Sequence, residues 1–432
     1  MKGAVAAAGS FALTSCLGGE KSSSRKEQGK GDMTCRINPK TGVSVSLLGY
    51  GCMRWPVVED ESGNKVPDQE EVNTLVDRAI ASGVTYFDTA PVYHRGLSER
   101  VTGEALSRYP RESFTIATKM SNFRKFSYEE SVGMYRDSFK ELKVDYIDYY
   151  LLHSIGRSLE DFNARFMDNG VLDFLAAERQ KGRIRNLGFS FHGGLPVFDH
   201  LMSLHGKYHW DFVQIQLNYV DYYTGDARYL YEELARRDIP VVVMEPLLGG
   251  RLAKVPRFVS ATMQEKDPSG SIASWAFRFC GSFPKVLTVL SGMTYMEHLE
   301  DNLRTFSPLE PLSEKDMDFL AGITAKLSSY PVIPCTGCSY CVPCPYGIDI
   351  PGIFAHYNKC VNDGDIAVAG YPDYSRARRR YLASYAREIL PANQADKCIG
   401  CGQCLRRCPQ EINIPEEMVR LDRYVESLKQ NG

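Results

Sequence analysis

From residue 43 to about residue 304, short runs of β-branched and aromatic residues alternate with amphipathic stretches of helical length, and this rhythm constrains the 432-residue chain more than any other feature. Eight candidate strands follow one another: Val45–Leu48, Val84–Asp88, Phe114–Lys119, Tyr146–His153, Ile184–Ser190, Phe212–Gln216, Pro240–Glu245 and Val286–Ser291. Between them lie helix-length stretches such as Glu70–Ser82, Ser98–Ser107, Tyr128–Leu142, Asn169–Lys181 and Ala227–Arg237. Strict alternation of this kind builds a parallel sheet covered by helices. Eight units in about 260 residues is the size of a (β/α)8 TIM barrel, an α/β fold. A doubly wound open sheet is the rival architecture, but no G-x-G-x-x-G follows the first strand to support it.

Polar residues recur at one place in this rhythm, the C-terminal end of a strand: Asp88, Lys119, His153, Ser190, Gln214 or Gln216, and Glu245. In a barrel those positions encircle the active-site mouth. After Leu303 the rhythm stops, and Ser313–Leu327 reads as a helix opened by Ser313 with Asp316 three residues on, close to a capping box. The expected division is a leader or tether over 1–32, a barrel over 33–312, a linker helix over 313–330 and a mainly helical domain over 331–432.

That last segment carries two cysteine quartets. Cys335, Cys338, Cys341 and Cys344 precede Pro345, and Cys398, Cys401, Cys404 and Cys408 precede Pro409. Each is a ferredoxin-like run for a four-iron, four-sulfur cluster, so two 4Fe-4S clusters are expected. In two-cluster ferredoxins the last cysteine of each run ligates the other cluster. By that rule Cys408 joins Cys335, Cys338 and Cys341, while Cys344 joins Cys398, Cys401 and Cys404. The first run has two residues before its last cysteine where the second has the usual three, which leaves the place of Cys344 open. Paired zinc knuckles are the alternative for C-x-x-C pairs.

With 44% hydrophobic and 24% charged residues the composition is that of a globular protein, and a net charge of -2 gives no footprint for nucleic acid. The first 30 residues differ from the rest. Leu13-Thr14-Ser15-Cys16 has the form of a lipobox after an apolar run too short to span a bilayer, which gives a lipid anchor at Cys16 and an exported, periplasm-facing lipoprotein as one expectation, and a cytoplasmic tail as the other.

Between residues 36 and 304 the sequence resembles the aldo-keto reductase family. The motifs that carry the resemblance are Phe87-Asp88-Thr89-Ala90-Pro91-Val92-Tyr93 with Ser98-Glu99, Ala117-Thr118-Lys119, Asp145 through His153, and Gly182 through Ser190. The resemblance implies a catalytic tetrad of Asp88, Tyr93, Lys119 and His153. Tyr93 would be the proton donor to a reduced carbonyl oxygen, Lys119 would lower its pKa from ~10, Asp88 would hold Lys119 charged, and His153 would polarise the substrate oxygen. It also implies a nicotinamide cofactor, NAD or NADP, contacted by Ser190, Gln214, Met244, Pro246, Leu247, Ser291, Met293, Asp301 and Asn302. The chain departs from the family pattern at Phe191, at Met244 in place of a stacking aromatic, and at Gly292 and His298 in place of the basic pair that clamps a 2'-phosphate.

The expected function is hydride transfer between that nicotinamide and a small carbonyl or alcohol, with clusters that are structural or receive electrons from a partner protein. The alternatives are an electron-transfer protein whose barrel has lost nicotinamide binding and serves as a docking module, and a surface lipoprotein that binds a small ligand. Nicotinamide moves two electrons as a hydride and each cluster moves one. Tyr50, Trp55, Tyr222 and Tyr223 are the aromatic candidates near the mouth.

Overall fold

The computed structural model describes residues 32–123, 126–155, 158–328, 332–368 and 371–430. The expectation of a lipid anchor at Cys16 falls on residues outside that set. No helix among the described residues is long and apolar enough to cross a membrane.

The chain begins with an antiparallel hairpin, β1 (Cys35–Ile37) and β2 (Ser44–Ser46), before the first barrel strand β3 (Leu48–Gly51). A second, exposed hairpin follows, β4 (Val57–Glu59) with β5 (Lys65–Pro67). The remaining barrel strands are β6 (Tyr86–Asp88), β7 (Thr115–Met120), β8 (Ile147–Ile155), β9 (Ile184–Phe191), β10 (Phe212–Gln216), β11 (Val241–Met244) and β12 (Val286–Ser291). Each pairs in parallel with the next, and β12 pairs with β3, which closes an eight-stranded barrel.

Seven of the expected strands fall on barrel strands. The first does not: Val45 belongs to the hairpin, and the barrel strand lies just after it. The alternation of Val43 to Leu47 reads correctly as extended chain, whereas β3 is short and carries two glycines that obscure its signal. Gly49 is required there, because a Cβ at that position would lie 2.8 Å from both Leu290 Cδ2 and Thr288 Oγ1. The side chain of Val45 points into the barrel floor, in one cluster with Tyr86, Tyr149, Phe212, Val242 and Leu290.

The helices form for local reasons that the sequence displays. Gln69–Ala81 is capped by Asp68, which accepts from the backbone N–H of Glu70 and Glu71, and it buries Val72, Leu75, Val76 and Ala79 as one stripe. Tyr128–Leu142 starts with a full capping box between Ser127 and Glu130. The helix Glu314–Ser328 packs Leu320 and Ile323 into the barrel's core.

Beyond it, the helices Ile350–Asp363, Tyr374–Glu388 and Ile414–Gln430 build a second core from residues such as Phe354, Tyr357, Tyr381, Tyr385, Met418 and Leu421. The two cysteine runs lie in irregular chain at one end of these helices. Contacts join this region to the barrel mouth. Gln216 and Gln410 exchange amide hydrogen bonds of 3.3 and 3.1 Å, Asn362 Nδ2 donates to the Lys254 carbonyl at 3.0 Å, and Arg54 Nη2 donates to the Thr336 carbonyl at 2.8 Å.

Candidate active site

Strand geometry brings the four tetrad residues together. Asp88 closes β6, Lys119 lies near the end of β7, His153 lies on β8, and Tyr93 sits in the short turn after β6, where His94 and Arg95 adopt positive φ of 50° and 57°. Lys119 is fully buried and donates to Asp88 Oδ1 at 2.6 Å and to the Thr89 carbonyl at 2.7 Å. Its ammonium lies 4.9 Å from the centre of the Tyr93 ring, and the ring meets the His153 ring edge-on at 5.8 Å. Asp88 Oδ2 is buried with no partner among the described residues.

Burial dominates the electrostatics. It raises the Tyr93 phenol well above its usual range, reinforced by the nearby Asp88 carboxylate. The counteracting influence is the hydroxyl of Tyr340 beside it. Lys119, expected to lower the Tyr93 pKa, is spent on Asp88 and Thr89. Burial, with the Lys119 and Arg165 cations adding to it, lowers the His153 pKa well below 6.5, so its ring is neutral at physiological pH. Ser121 Oγ lies 2.5 Å from His153 Nδ1, and Arg165 holds the carbonyls of His153 and Ser154 at 2.5 and 2.8 Å.

Behind the tetrad, Glu99 is buried and accepts from Thr118 Oγ1 at 2.5 Å. Burial pushes its carboxyl up to about 7, with Thr118 and Ser138 opposing. Its folded pKa is therefore above its unfolded one. The associated stability is fully present below pH ~4.5 and is lost as pH rises through ~7, by an amount of order 3 kcal/mol. Replacing Glu99 with glutamine is expected to flatten this part of the thermal stability profile between pH 5 and 8. A profile unchanged from the parent would show that Glu99 is not its source.

The aromatic candidates fall elsewhere. Tyr50 is fully buried, donates to the Met293 carbonyl at 2.6 Å and packs on Trp55 and Phe87. Trp55 donates to Thr102 Oγ1 at 3.2 Å in the core. Tyr222 and Tyr223 pack against Phe279 outside the barrel. The mouth is lined instead by Phe123, whose ring lies 4.9 Å from His153 and 5.9 Å from Tyr340, and by His192, whose pKa burial lowers to about 4. His192 follows a strand-end motif and was readable as a candidate. Nothing in the sequence marks Tyr340 as a mouth residue.

The residues expected to hold nicotinamide are mostly engaged with one another. Ser190 Oγ accepts from Ser154 N at 2.7 Å, Gln214 Nε2 meets Met244 Sδ at 3.5 Å, and Asn302 Nδ2 donates to Ser291 Oγ at 2.9 Å. Asp301 accepts from Ser271 at 2.7 Å and pairs with Arg304 at 3.0 Å. Met293 and Pro246 are buried, Leu247 is half-buried, and Phe191 packs on Phe198 at 5.3 Å. Gln214 Oε1 is buried and unpartnered among the described residues, as a carboxamide acceptor would be. The loop that bears the first cysteine run and the Arg54 side chain approach two glycines past β11 and β12. The backbone of Thr336 covers Gly249, where a Cβ would lie 2.1 Å from the Thr336 carbonyl, and the Arg54 side chain lies 3.0 to 3.2 Å from a Cβ at Gly292.

The cysteines gather in two sets. Cys335, Cys338, Cys341 and Cys408 line one cavity, walled by Ile350, Phe354, Ile412 and Ile414. Cys404 lies close to Cys398, Cys401 and Cys344. An apolar cage around converging thiols suits an iron-sulfur cluster. Gly337 N donates to Cys335 Sγ at 3.5 Å, a contact of the kind that tunes such a cluster. Burial pushes the Cys338 thiol up to about 11 and that of Cys341 up to about 12, so cluster binding there releases protons.

A closed β/α barrel with a buried lysine–aspartate pair, a phenol and a neutral imidazole at its mouth has the layout of an acid–base oxidoreductase barrel. A model of the aldo/keto reductase family matches residues 47–325, most of the chain, and the protein belongs to that family. A model of a 4Fe-4S dicluster domain matches residues 334–412, so this oxidoreductase carries an iron-sulfur domain. The L-galactose dehydrogenase of Arabidopsis thaliana is 25% identical over 322 residues, covering 66% of this chain and 92% of that protein. The NADH-specific methylglyoxal reductase of Escherichia coli is 30% identical over 166 residues, 34% of this chain and 49% of that one. The holo form of an aldo-keto reductase from Bacillus halodurans superimposes with a TM-score of 0.55 at 22% identity, covering 67% of this chain and 96% of that one, a likeness of fold.

Proposed function

We propose that this chain interconverts a small carbonyl compound and its alcohol at Tyr93, Lys119, Asp88 and His153, with a hydride donor supplying the two electrons and the carbon-bound hydrogen and Tyr93 the proton on oxygen, and that its C-terminal domain holds one-electron iron-sulfur clusters. The observation that supports this reading most is the buried 2.6 Å pair of Lys119 and Asp88 beneath Tyr93, with the neutral His153 ring beside it. A fully buried ion pair is costly unless the arrangement uses it. Tyr93 is the group that gives a proton to the carbonyl oxygen, or takes one from the alcohol. In the tautomer that carries its proton on Nε2, His153 accepts from Ser121 at Nδ1 and can donate to the same oxygen.

In this reading residues 33–312 form the catalytic barrel, 313–330 the helix that leads out of it and 331–432 the cluster domain. Cys335, Cys338, Cys341 and Cys408 hold one 4Fe-4S cluster, and Cys344, Cys398, Cys401 and Cys404 hold a second. Such clusters supply one electron each, and their exchange with the outside calls for an electron-transfer partner.

NAD or NADP as hydride carrier has one observation in its favour, the unpartnered Gln214 Oε1. The second reading, a barrel that no longer takes a dinucleotide, is favoured by Thr336 and Arg54 lying across its path. The test is an anaerobic screen of small aldehydes, ketones and hydroxy compounds with the full-length, cluster-loaded chain, supplying NADH, NADPH and a reduced viologen in parallel. Carbonyl-dependent oxidation of a donor is expected, and a screen in which no donor is consumed would count against the proposal.

A further inference from the structure

The segment that bears the first cysteine run does more than carry ligands, because it lies on the barrel mouth at three points. Its Thr336 backbone rests on Gly249, which follows β11. Its Thr336 carbonyl accepts from Arg54 Nη2 at 2.8 Å, and the Arg54 side chain in turn lies beside Gly292 at the end of β12. Its Tyr340 hydroxyl faces that of Tyr93. Glu245, between β11 and Gly249, is half-buried beside Arg54 and Thr336.

A dinucleotide with its nicotinamide at Gln214 and Met244 and its remainder along Ser291 to Asn302 must cross from the end of β11 to the end of β12. These strands are neighbours in the barrel, and the ground between their ends is where Thr336 and Arg54 lie. The Gly249 contact involves backbone on both sides, so no change of side-chain rotamer opens it. Gly249 itself has a φ of 67°, a conformation that suits glycine and presents a bare surface to the incoming loop.

We infer that the loop from Cys335 to Cys341 has replaced the dinucleotide as the wall of the substrate site, so that this barrel binds neither NAD nor NADP and its tetrad faces an iron-sulfur ligand loop. The inference deepens the reading of the same site as a carbonyl–alcohol centre, whose hydride then comes from a two-electron donor other than a nicotinamide dinucleotide, such as a reduced flavin, and both of its tests are free of turnover. Failure of that reading and failure of this inference are therefore separate results.

The first measurement titrates NADH and NADPH, followed by their fluorescence, into the full-length chain with its clusters assembled. No saturable binding of either is expected, and saturable binding of one overturns the inference. The second asks whether the loop is seated on the barrel, and uses Arg54→Ala with iron and sulfide content checked against the parent. Arg54 touches the residue next to Cys335, and a cation close to a cluster favours the reduced, more negative state. The variant is expected to alter the electron paramagnetic resonance signal of one reduced cluster and to lower its midpoint potential, leaving any other cluster signal in place. A variant with full iron content and no spectral or potential change shows that the loop does not sit there, and overturns the inference even if no nucleotide binds.

Discussion

Tyr93→Phe is expected to lower kcat by about 10²- to 10⁴-fold, the usual contribution of a positioned acid or base, while leaving substrate affinity and cluster spectra close to those of the parent. The substitution keeps the ring that packs on His153 and Lys119 and removes only the hydroxyl that faces Tyr340. It is a cleaner probe than changing Lys119, because removing that cation strands the Asp88 carboxylate in the core, an error that costs several kcal/mol in folding alone. The parent should also lose its reducing activity only at strongly alkaline pH, since burial keeps the Tyr93 phenol protonated well above its usual range. Steady-state kinetics on the carbonyl found by the screen, with the parent and the variant side by side, provide the measurement. A kcat within a few-fold of the parent would remove Tyr93 from the chemistry.

The second large effect concerns the crossed cysteines. Cys408→Ser is expected to remove the cluster nearer the barrel, whose cavity Cys408 shares with Cys335, Cys338 and Cys341. Cys344→Ser is expected to remove the other. Each single variant should then retain roughly half of the parent's iron, and only the Cys344→Ser protein should keep the signal that Arg54→Ala perturbs. If each run instead completed its own cluster, the two variants would exchange these outcomes. Either loss should also lower the unfolding temperature, because metal binding contributes directly to the folding of a small domain with a modest core. Iron analysis and anaerobic spectroscopy on the two variants decide the matter.

The tetrad was legible because three of its members end strands whose apolar runs are plain, and because their order matches a known pattern. The gathering of the cysteines into two sets was legible because their spacing is chemical. The wall opposite Tyr93 was not. Tyr340 and Thr336 reach the mouth only after a separate helical unit has folded and docked, and neither periodicity nor spacing records a contact between residues so distant along the chain. The aromatic candidates failed for the opposite reason. Tyr222 and Tyr223 lie just past a strand end, but they turn outward on the helix Tyr219–Thr224 to meet Phe279 and Phe283. The first barrel strand escaped because Gly49 and Gly51 provide close approach rather than side-chain pattern.

The contact of Thr336 on Gly249 also governs traffic. Main chain against main chain leaves that side of the mouth without a movable part, and Arg54 braces it. The opposite rim carries Phe123, 43% exposed and touching both His153 and Tyr340 through its ring alone. A substrate that enters beside Phe123 meets the His153 ring and the Tyr340 ring at one place, so it reaches the acid–base groups and the cysteine loop together.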